Sequence, residues 1–188
     1  MKKNTAAWAL ALARKHLETP LPRRWAHTQG VARQARTLAP VLGDNADLLE
    51  AAAWLHDIGY APDLVNTGFH PLDGARYLRD IHHADDHLCR LVAGHSCAII
   101  EARERGLDES LASEFPPANP GLARALTYCD MTTTPDGAQV TVEARLAEIR
   151  NRYGPVHLVT RFINRAQPYL IQAVLDVQQE TLLACLDV

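Results

Sequence analysis

The residues of this sequence that could do chemistry are histidines and aspartates that lie on apolar helix faces. His56 continues the helical spacing of Leu49 and Ala53, so its ring is predicted to point into the core. Asp57 follows directly, and a buried carboxylate is costly unless it is paired or bound to a cation. An adjacent His and Asp at a buried helix end therefore indicate a metal site. For the pair alone, a packed core histidine beside a helix-end aspartate is an equally good interpretation.

Three other predicted helices repeat this arrangement. His27 precedes the apolar Val31 by four residues, Asp130 follows Leu126 by four, and His95 continues the apolar positions of its own helix. Burying these groups separately would cost several kcal/mol each, whereas one shared cation would satisfy them together. We therefore expect one common metal site in the core.

Helices are the elements that must position these residues. Ala and Leu dominate, and apolar residues recur every three or four positions, with Pro or Gly between the runs. No strand pattern competes, so the expected fold class is all-α, a compact multi-helix bundle. The segment before Pro120 is predicted to be a surface loop, and Pro168 is expected to kink or split the last helix. The predicted helices cover about 5–18, 23–38, 45–58, 71 onward, 85–105, 120–131, 141–152 and 156–186.

The composition is typical of a globular protein, and the charge balance favours a small substrate. The 188 residues suit a single domain over 1–188, in which C-terminal helices of 140–188 pack on a core of about 20–135. Apolar residues make up 47% and charged residues 22%, which excludes a disordered chain. The formal net charge is -3, so the protein lacks the positive field that nucleic-acid binding requires. No nucleic-acid partner is therefore expected. Sixteen Arg against three Lys suit the recognition of phosphate.

The cysteines predict a cytoplasmic protein, because they form no C-x-x-C pair and no dense framework. Lys2 and Lys3 precede the apolar run from Ala6 to Ala13, as in a signal peptide, but helical spacing continues past Arg14. A first amphipathic helix is therefore predicted there. No stretch is long enough to span a membrane. The cysteines are Cys89, Cys97, Cys129 and Cys185.

The metal candidates resemble the signature of a known family. His27, the tetrapeptide His-Asp-Ile-Gly at 56–59 and Asp130 resemble the H…HD…D pattern of the HD superfamily. The segment 70–75 resembles the H-P-x-x-G element of many members, including the HD-GYP group, and His95 resembles the later histidine of that pattern. The resemblance implies a helical bundle that hydrolyses a phosphoester with one or two divalent cations, such as iron, manganese, nickel or magnesium.

The resemblance covers roughly residues 20–135 and implies a set of metal ligands. If a single metal is bound, His70 and His95 would instead face the substrate phosphate as protonated donors. This alternative stays open. A metal held there would lower the pKa of a bound water from near 15.7 toward ~7 and polarise the phosphoryl oxygen. The implied ligands are His27, His56, Asp57 and Asp130 for the first metal, and His70 and His95 for a second one with Asp57 bridging; the implied catalytic residues are Asp57, His70 and His95.

The sequence departs from the HD-GYP pattern in three ways. Tyr60 stands where a Lys commonly follows the HDIG tetrapeptide, Ser96 stands where a second His is usual, and no Gly-Tyr-Pro tripeptide occurs. Hydrolysis of a cyclic dinucleotide is therefore not expected.

Arginines near the proposed ligands are candidates for binding the substrate phosphate. Arg24 lies three residues before His27 on the same helix and is predicted to share its face. Arg76 and Arg79 follow the start of the His70 helix and are second choices. For each of them a solvated surface arginine is an equally good interpretation.

The other histidines and the tryptophans are assigned to the surface or to packing. One of the histidines at 82 and 83 could replace His70 as a ligand. His82, His83 and His87 are expected to be exposed, His16 and His157 to lie at the surface or in packing, and Trp8, Trp25 and Trp54 to lie in the core.

The function predicted from these features is metal-dependent hydrolysis of a phosphomonoester or nucleotide by a metal-activated water. The expected partner is a small phosphate ester, with no membrane, and the last helix either covers the bundle or makes a homodimer contact. Two alternatives stay open. One is a di-iron oxygenase, because inositol oxygenase relatives in this superfamily place two irons on a similar ligand set. The other is a sensor module that binds a nucleotide or a metal without turnover.

Overall fold

The computed structural model describes residues 5–186, with the side chain of Cys185 excepted. The predicted all-α class is confirmed, since an isolated bridge between Thr133 and Gln139 is the one strand-like feature of these residues. The α-helices are α1 (Ala6–Leu17), α2 (Pro22–Thr37), α3 (Ala39–Leu42), α4 (Ala46–Leu55), α5 (His70–Asp80), α6 (Asp86–Gly94), α7 (Ala98–Arg105), α8 (Asp108–Glu114), α9 (Pro120–Met131), α10 (Val142–Tyr153) and α11 (Leu158–Leu186), with short 3₁₀ turns at Gly43–Asn45, Ile58–Tyr60 and His95–Cys97.

Side-chain caps and prolines determine where several helices begin. Thr5, Asp85 and Asn119 each accept a backbone N–H from the first turn of α1, α6 and α9, which satisfies donors that the helix leaves open. Pro71 and Pro120 lie in the first turn of α5 and α9, where a missing N–H costs nothing. Residue 70 is therefore held at a rigid helix start, as the sequence predicts.

Two apolar clusters form the interior. The larger cluster joins α1, α2, α4, α5, α6 and α9, and in it Trp25 stacks on Trp54 with ring centres 5.5 Å apart, which confirms the predicted core position of these two tryptophans. The smaller cluster joins the end of α9 to α10 and α11 through side chains such as Met131 and Leu170. Tyr128 packs against both clusters. The assignment of 1–188 to one domain stays a prediction.

Two sequence predictions about the helices differ from the structure, and a third differs in part. The helix predicted over 85–105 is broken into α6 and α7, because Ser96 and Cys97 adopt left-handed backbone angles with φ of 47° and 62°. The predicted loop before Pro120 contains α8, which buries Leu111. α11 runs from Leu158 to Leu186 with Pro168 inside it, so the split expected at Pro168 does not occur, because the packing of a 29-residue helix outweighs the loss of one backbone hydrogen bond. The expected kink stays a prediction.

The histidines outside the proposed ligand set and the cysteines differ in exposure. His83, His87 and His157 are exposed, but His82 is half-buried, with its Nε2 atom 2.9 Å from the Tyr77 hydroxyl. Among residues 5–186, no helix combines the length and the apolar character needed to cross a membrane. Free thiols are present at Cys89, Cys97 and Cys129, and the side chain of Cys185 lies outside the described residues.

Candidate metal centre

Five helices bring the six proposed metal ligands together. The ligands come from the middle of α2, the two residues after α4, the first residue of α5, the residue after α6, and the last turn of α9. All of them are buried except His70, which is half-buried. The six are His27, His56, Asp57, His70, His95 and Asp130.

Backbone carbonyl groups orient three of the histidine rings. A carbonyl oxygen can only accept a hydrogen bond, so the Nδ1 atom that faces it carries the proton and donates. The lone pair is then on Nε2, which faces the other ligands, and this is the orientation that a metal-binding histidine needs. The donors and acceptors are His27 Nδ1 and Thr134 O at 3.0 Å, His56 Nδ1 and Ala53 O at 2.8 Å, and His95 Nδ1 and Val92 O at 2.7 Å.

The ligand atoms form two compact groups with Asp57 between them. His27, His56 and Asp130 offer atoms that all lie within 4.8 Å of one another, and so do Asp57, His70 and His95. Asp57 Oδ2 lies 3.3 Å from His56 Nε2 and 3.9 Å from His27 Nε2 in the first group. Asp57 Oδ1 lies 3.3 Å from His70 Nε2 in the second group. The two oxygens of this carboxylate therefore face one group each, as a bridging ligand requires.

The buried His56 Nε2 atom tests whether the residues of the site fit a metal. His56 Nε2 is fully buried and makes no hydrogen bond to any residue that the structure describes. Leaving such a group unsatisfied costs about 1–3 kcal/mol, and a cation would remove this cost. In the second group, the Nε2 atoms of His70 and His95 face each other at 3.2 Å, which also suits a shared cation. The donor set of imidazole and carboxylate groups fits iron, manganese, nickel or zinc.

Burial keeps two of the histidines neutral. It lowers the pKa of His70 to about 3, against a weaker opposing effect of Asp57. Burial together with the nearby His56 also lowers the pKa of His95. A neutral imidazole is the form that binds a metal. The alternative in which these two histidines are protonated donors to phosphate requires the form that burial disfavours.

The two carboxylates are held ionised. Burial alone would raise the pKa of Asp57, but Arg24 and His56 outweigh it and hold the pKa well below its usual range. Burial is likewise outweighed at Asp130, where His27 lowers the pKa most. The Arg24 Nη1 atom donates to Asp57 Oδ2 at 2.7 Å, and His27 Nε2 lies 3.1 Å from Asp130 Oδ1. Both carboxylates are therefore ready to bind a cation.

Tyr60 fixes Arg24 and His70 at the edge of the site. The guanidinium carbon of Arg24 lies 3.7 Å from the centre of the Tyr60 ring, and the His70 ring stacks on the same ring at 3.9 Å with an interplanar angle of 18°. Groups this close to one ring centre must occupy its opposite faces. The sequence marks Tyr60 only as a departure from a family pattern, so its stacking role is found from the structure.

Glycine at 59 allows the turn after the His-Asp pair to contact the start of α5. A Cβ atom at Gly59 would lie 2.1 Å from the His70 carbonyl oxygen and 2.6 Å from the backbone nitrogen of Gly74. Asp73 accepts backbone N–H groups of residues 66–68 and so holds the loop that leads into His70. The position of His70 therefore depends on close backbone packing around these two segments.

Two residues of the site are not among the sequence-based candidates. Ser96 donates its hydroxyl hydrogen to Asp130 Oδ2. Arg145 on α10 is buried and lines the same cavity as the metal ligands. Val142, Arg145, Leu146 and Ile149 follow the i, i+3, i+4, i+7 spacing that selects His56, so this pattern could have identified Arg145.

The arginine candidates from the sequence occupy different places. Arg24 lines the cavity and contacts Asp57. Arg76 and Arg79 both pair with Glu114 of α8, and neither of them lines the cavity. Their guanidinium groups therefore hold α8 against α5. The substrate-binding role predicted for Arg76 has no contact with the site in its favour.

The ligand groups open into a cavity of about 90 Å³. Its lining residues include five of the six proposed metal ligands together with Met131, Ile149, Phe162 and Leu170 of the smaller apolar cluster. The cavity therefore lies between the two clusters and is lined by both.

Comparison with known proteins agrees with this arrangement. The family model of the HD domain matches residues 24–149, which is more than half of the chain. Ribonuclease Y of Rubrobacter xylanophilus is 30% identical over 102 residues, which are 54% of this chain and 20% of that protein, so the chain spans about a fifth of the length of this curated relative. No solved structure matches the chain. The family match and the histidine and aspartate groups together show that the chain belongs to the HD domain family, whose members are generally metal-dependent phosphohydrolases.

Proposed function

We propose that this protein hydrolyses a small phosphate ester or nucleotide with one or two divalent metal ions. The observation that supports the proposal is the position of Asp57, whose two oxygens face two separate groups of ligands. His27, His56 and Asp130 would hold the first ion, and His70 and His95 the second one, with Asp57 between them. Three of the four histidines are already oriented for this by carbonyl groups.

A bound divalent ion supplies a nucleophile at neutral pH by acidifying water, and it withdraws charge from the phosphoryl group. The residues of the chain do the rest. Arg24 offers a planar fork for the phosphoryl oxygens, and Tyr60 holds that fork in place by stacking. The apolar side chains of the smaller cluster exclude water from the opposite wall. We keep the cytoplasmic location, inferred from the cysteine pattern, as part of this proposal.

The experiment is a hydrolysis assay on protein loaded with manganese or with iron(II). The substrates are p-nitrophenyl phosphate, a set of nucleoside mono-, di- and triphosphates, and an RNA oligonucleotide, which is included because the relative is named a ribonuclease. We expect release of phosphate from at least one small ester and no cleavage of the RNA. A chain that retains metal but hydrolyses none of the small esters would refute the proposal.

Further measurements on the same purified protein distinguish the alternatives. Elemental analysis of the purified protein gives the number of ions per chain. Oxygen consumption by the iron-loaded protein, without phosphate release, would establish the oxygenase instead. Tight nucleotide binding without turnover in any metal would establish the sensor module.

A further inference from the structure

Arg145 is a buried cation that the proposed chemistry does not use. Its side chain is 8% exposed, and its Nη1 atom donates to Glu148 on the same helix. Its Nε atom is buried and has no acceptor among the residues that the structure describes. A buried N–H of a charged group without an acceptor is unfavourable. The protein groups around Arg145 therefore satisfy only part of its guanidinium group, which leaves a donor for a ligand.

Arg145 lies between two cavities. It lines the metal cavity, and it also lines a neighbouring cavity of about 290 Å³. Arg24 and Arg152 line both cavities as well. We call these three residues, Arg24, Arg145 and Arg152, the arginine wall. An anion bound by the arginine wall would therefore be within reach of groups in the metal cavity and of groups in the neighbouring cavity.

The arginine wall has more positive charge than its protein partners neutralise. Arg24 pairs with Asp57, while Arg145 and Arg152 share Glu148. In the metal-loaded protein Asp57 would be a ligand of the cations, so Glu148 is the one other carboxylate, among the residues that the structure describes, that forms an ion pair with these three guanidinium groups. The excess is then two positive charges beyond those that the metal ions contribute. A second anionic group on the substrate, besides the one at the metal ions, would balance this excess.

The neighbouring cavity has an apolar floor. Pro20, Leu21, Pro22 and Pro135 line it, and we call these four residues the apolar floor; Arg23, which also lines the cavity, is paired with Asp136. The apolar floor itself has no charged group, and it suits the uncharged organic part of a ligand. His27 and the arginine wall line both cavities, so they connect the metal cavity to the apolar floor.

We propose that the arginine wall binds a second phosphoryl group, and that the substrate is an organic diphosphate whose uncharged part lies on the apolar floor. This inference rests on the proposed function, because it places the terminal phosphoryl group at the metal ligands. In the reaction, the oxygen of a water molecule bonds to the terminal phosphorus and the bond to the bridging oxygen breaks. The bridging oxygen keeps the electron pair, the water protons pass to solvent or to phosphate, and an organic monophosphate and orthophosphate result.

The test measures binding and needs no turnover. Methylenediphosphonate and methylphosphonate, which are not hydrolysed, are titrated calorimetrically into the metal-loaded full-length protein. We expect the parent to prefer the diphosphonate, and Arg145→Gln to reduce this preference by about 10- to 100-fold, the value of one or two charge-assisted hydrogen bonds. Arg152→Gln, at a more exposed position, should reduce it in the same direction and serves where Arg145→Gln does not fold. Arg150→Gln on the same helix lines neither cavity and should preserve the preference.

Two outcomes would overturn the inference. In one, the parent protein shows no preference for the diphosphonate. In the other, Arg145→Gln and Arg152→Gln weaken both probes equally, which indicates a structural role. Either of these outcomes alongside hydrolysis of a monophosphate ester would leave the proposed function intact. Conversely, a preference that depends on Arg145, in a protein that hydrolyses nothing, would preserve the arginine wall and refute the hydrolase.

Discussion

At the scale of single residues, Asp57 has the largest number of roles. It follows His56 directly after α4, pairs with Arg24, and offers one oxygen to each group of ligands. A carboxylate suits this position because it has two oxygens with separate lone pairs, whereas an imidazole ring with one anchored nitrogen can face only one cation. Loss of this side chain should therefore affect both groups together.

Asp57→Ala is expected to abolish metal retention and phosphate release together. The metal content should fall to less than about a tenth of that of the parent, since metal sites with a missing bridging ligand lose most of their affinity. Elemental analysis and the hydrolysis assay measure the two effects, and circular dichroism checks that the helices remain. Asp136→Ala, which removes an exposed carboxylate paired with Arg23, is the matched control and should change neither. Full metal content in Asp57→Ala would contradict the assignment.

Gly59→Ala is expected to displace His70 and to destabilise the protein. The added Cβ would meet backbone atoms of His70 and Gly74, which cannot rotate away as a side chain could. Overpacking of this kind costs typically about 1–3 kcal/mol, measured as the free energy of unfolding in denaturant. Gly94→Ala meets no atom within 4 Å among the described residues and is the control. Equal stability of the two variants would show that the contact at Gly59 relaxes without cost.

At the scale of the elements, the break between α6 and α7 determines the geometry of the site. His95 follows the last residue of α6, and the left-handed residues Ser96 and Cys97 turn the chain so that the Ser96 hydroxyl reaches Asp130 on α9. Non-glycine residues in this conformation cost about 1–2 kcal/mol each. This backbone strain lies beside the proposed ligands, where it sets the orientation of His95 and Asp130.

Ser96→Ala is expected to weaken metal binding by about 10- to 100-fold, which is the usual effect of losing a hydrogen bond to a ligand. The reason is that Asp130 Oδ2 loses its donor while His27 still contacts Oδ1. Titration against a competing chelator measures the affinity. Ser113→Ala, on the exposed side of α8, removes a hydroxyl that donates to the carbonyl oxygen of Ser110 and should leave the affinity unchanged. An unchanged affinity in Ser96→Ala would mean that Asp130 needs no such support.

Helical spacing predicts the burial of His27, His56, His95 and Asp130, because it reports which helix faces are buried, whereas His70 is proposed from the family resemblance alone. Helical spacing predicts the break after His95 poorly, since the apolar pattern of α6 and α7 continues across it and left-handed angles at Ser96 and Cys97 follow from tertiary contacts. The stacking of Tyr60 and the placement of Arg76 beside Glu114 depend on residues distant in sequence, so spacing alone does not reveal them. Arg145 was within reach of the same spacing rule.

At the scale of the whole molecule, the cavity lies between an apolar cluster that holds the metal ligands and a smaller one built on α10 and α11. α4 is enclosed by α1, α2 and α9, whereas α10 packs mainly on α11. Segments with less buried apolar contact open more readily. The two sides of the cavity should therefore differ in local stability.

Backbone amides of α10 are expected to exchange with solvent deuterium at least about tenfold faster than those of α4, a difference of about 1.4 kcal/mol in opening free energy. The comparison uses amides that are hydrogen-bonded inside each helix, such as those of Leu146 and Ala53. Native-state hydrogen exchange followed by mass spectrometry or NMR measures both. Equal protection of the two helices would show that the clusters open as one unit.

The position of the cavity also determines how a ligand and heat would compete. A compound bound both by ligands of the larger cluster and by Arg145 of α10 links the two clusters. It must therefore dissociate before the clusters can separate. At a concentration 100 times its dissociation constant, such a compound adds about 2.7 kcal/mol to the stability of the folded state. Melting curves recorded across a collection of phosphorylated metabolites would therefore rank candidate substrates without any assay of turnover.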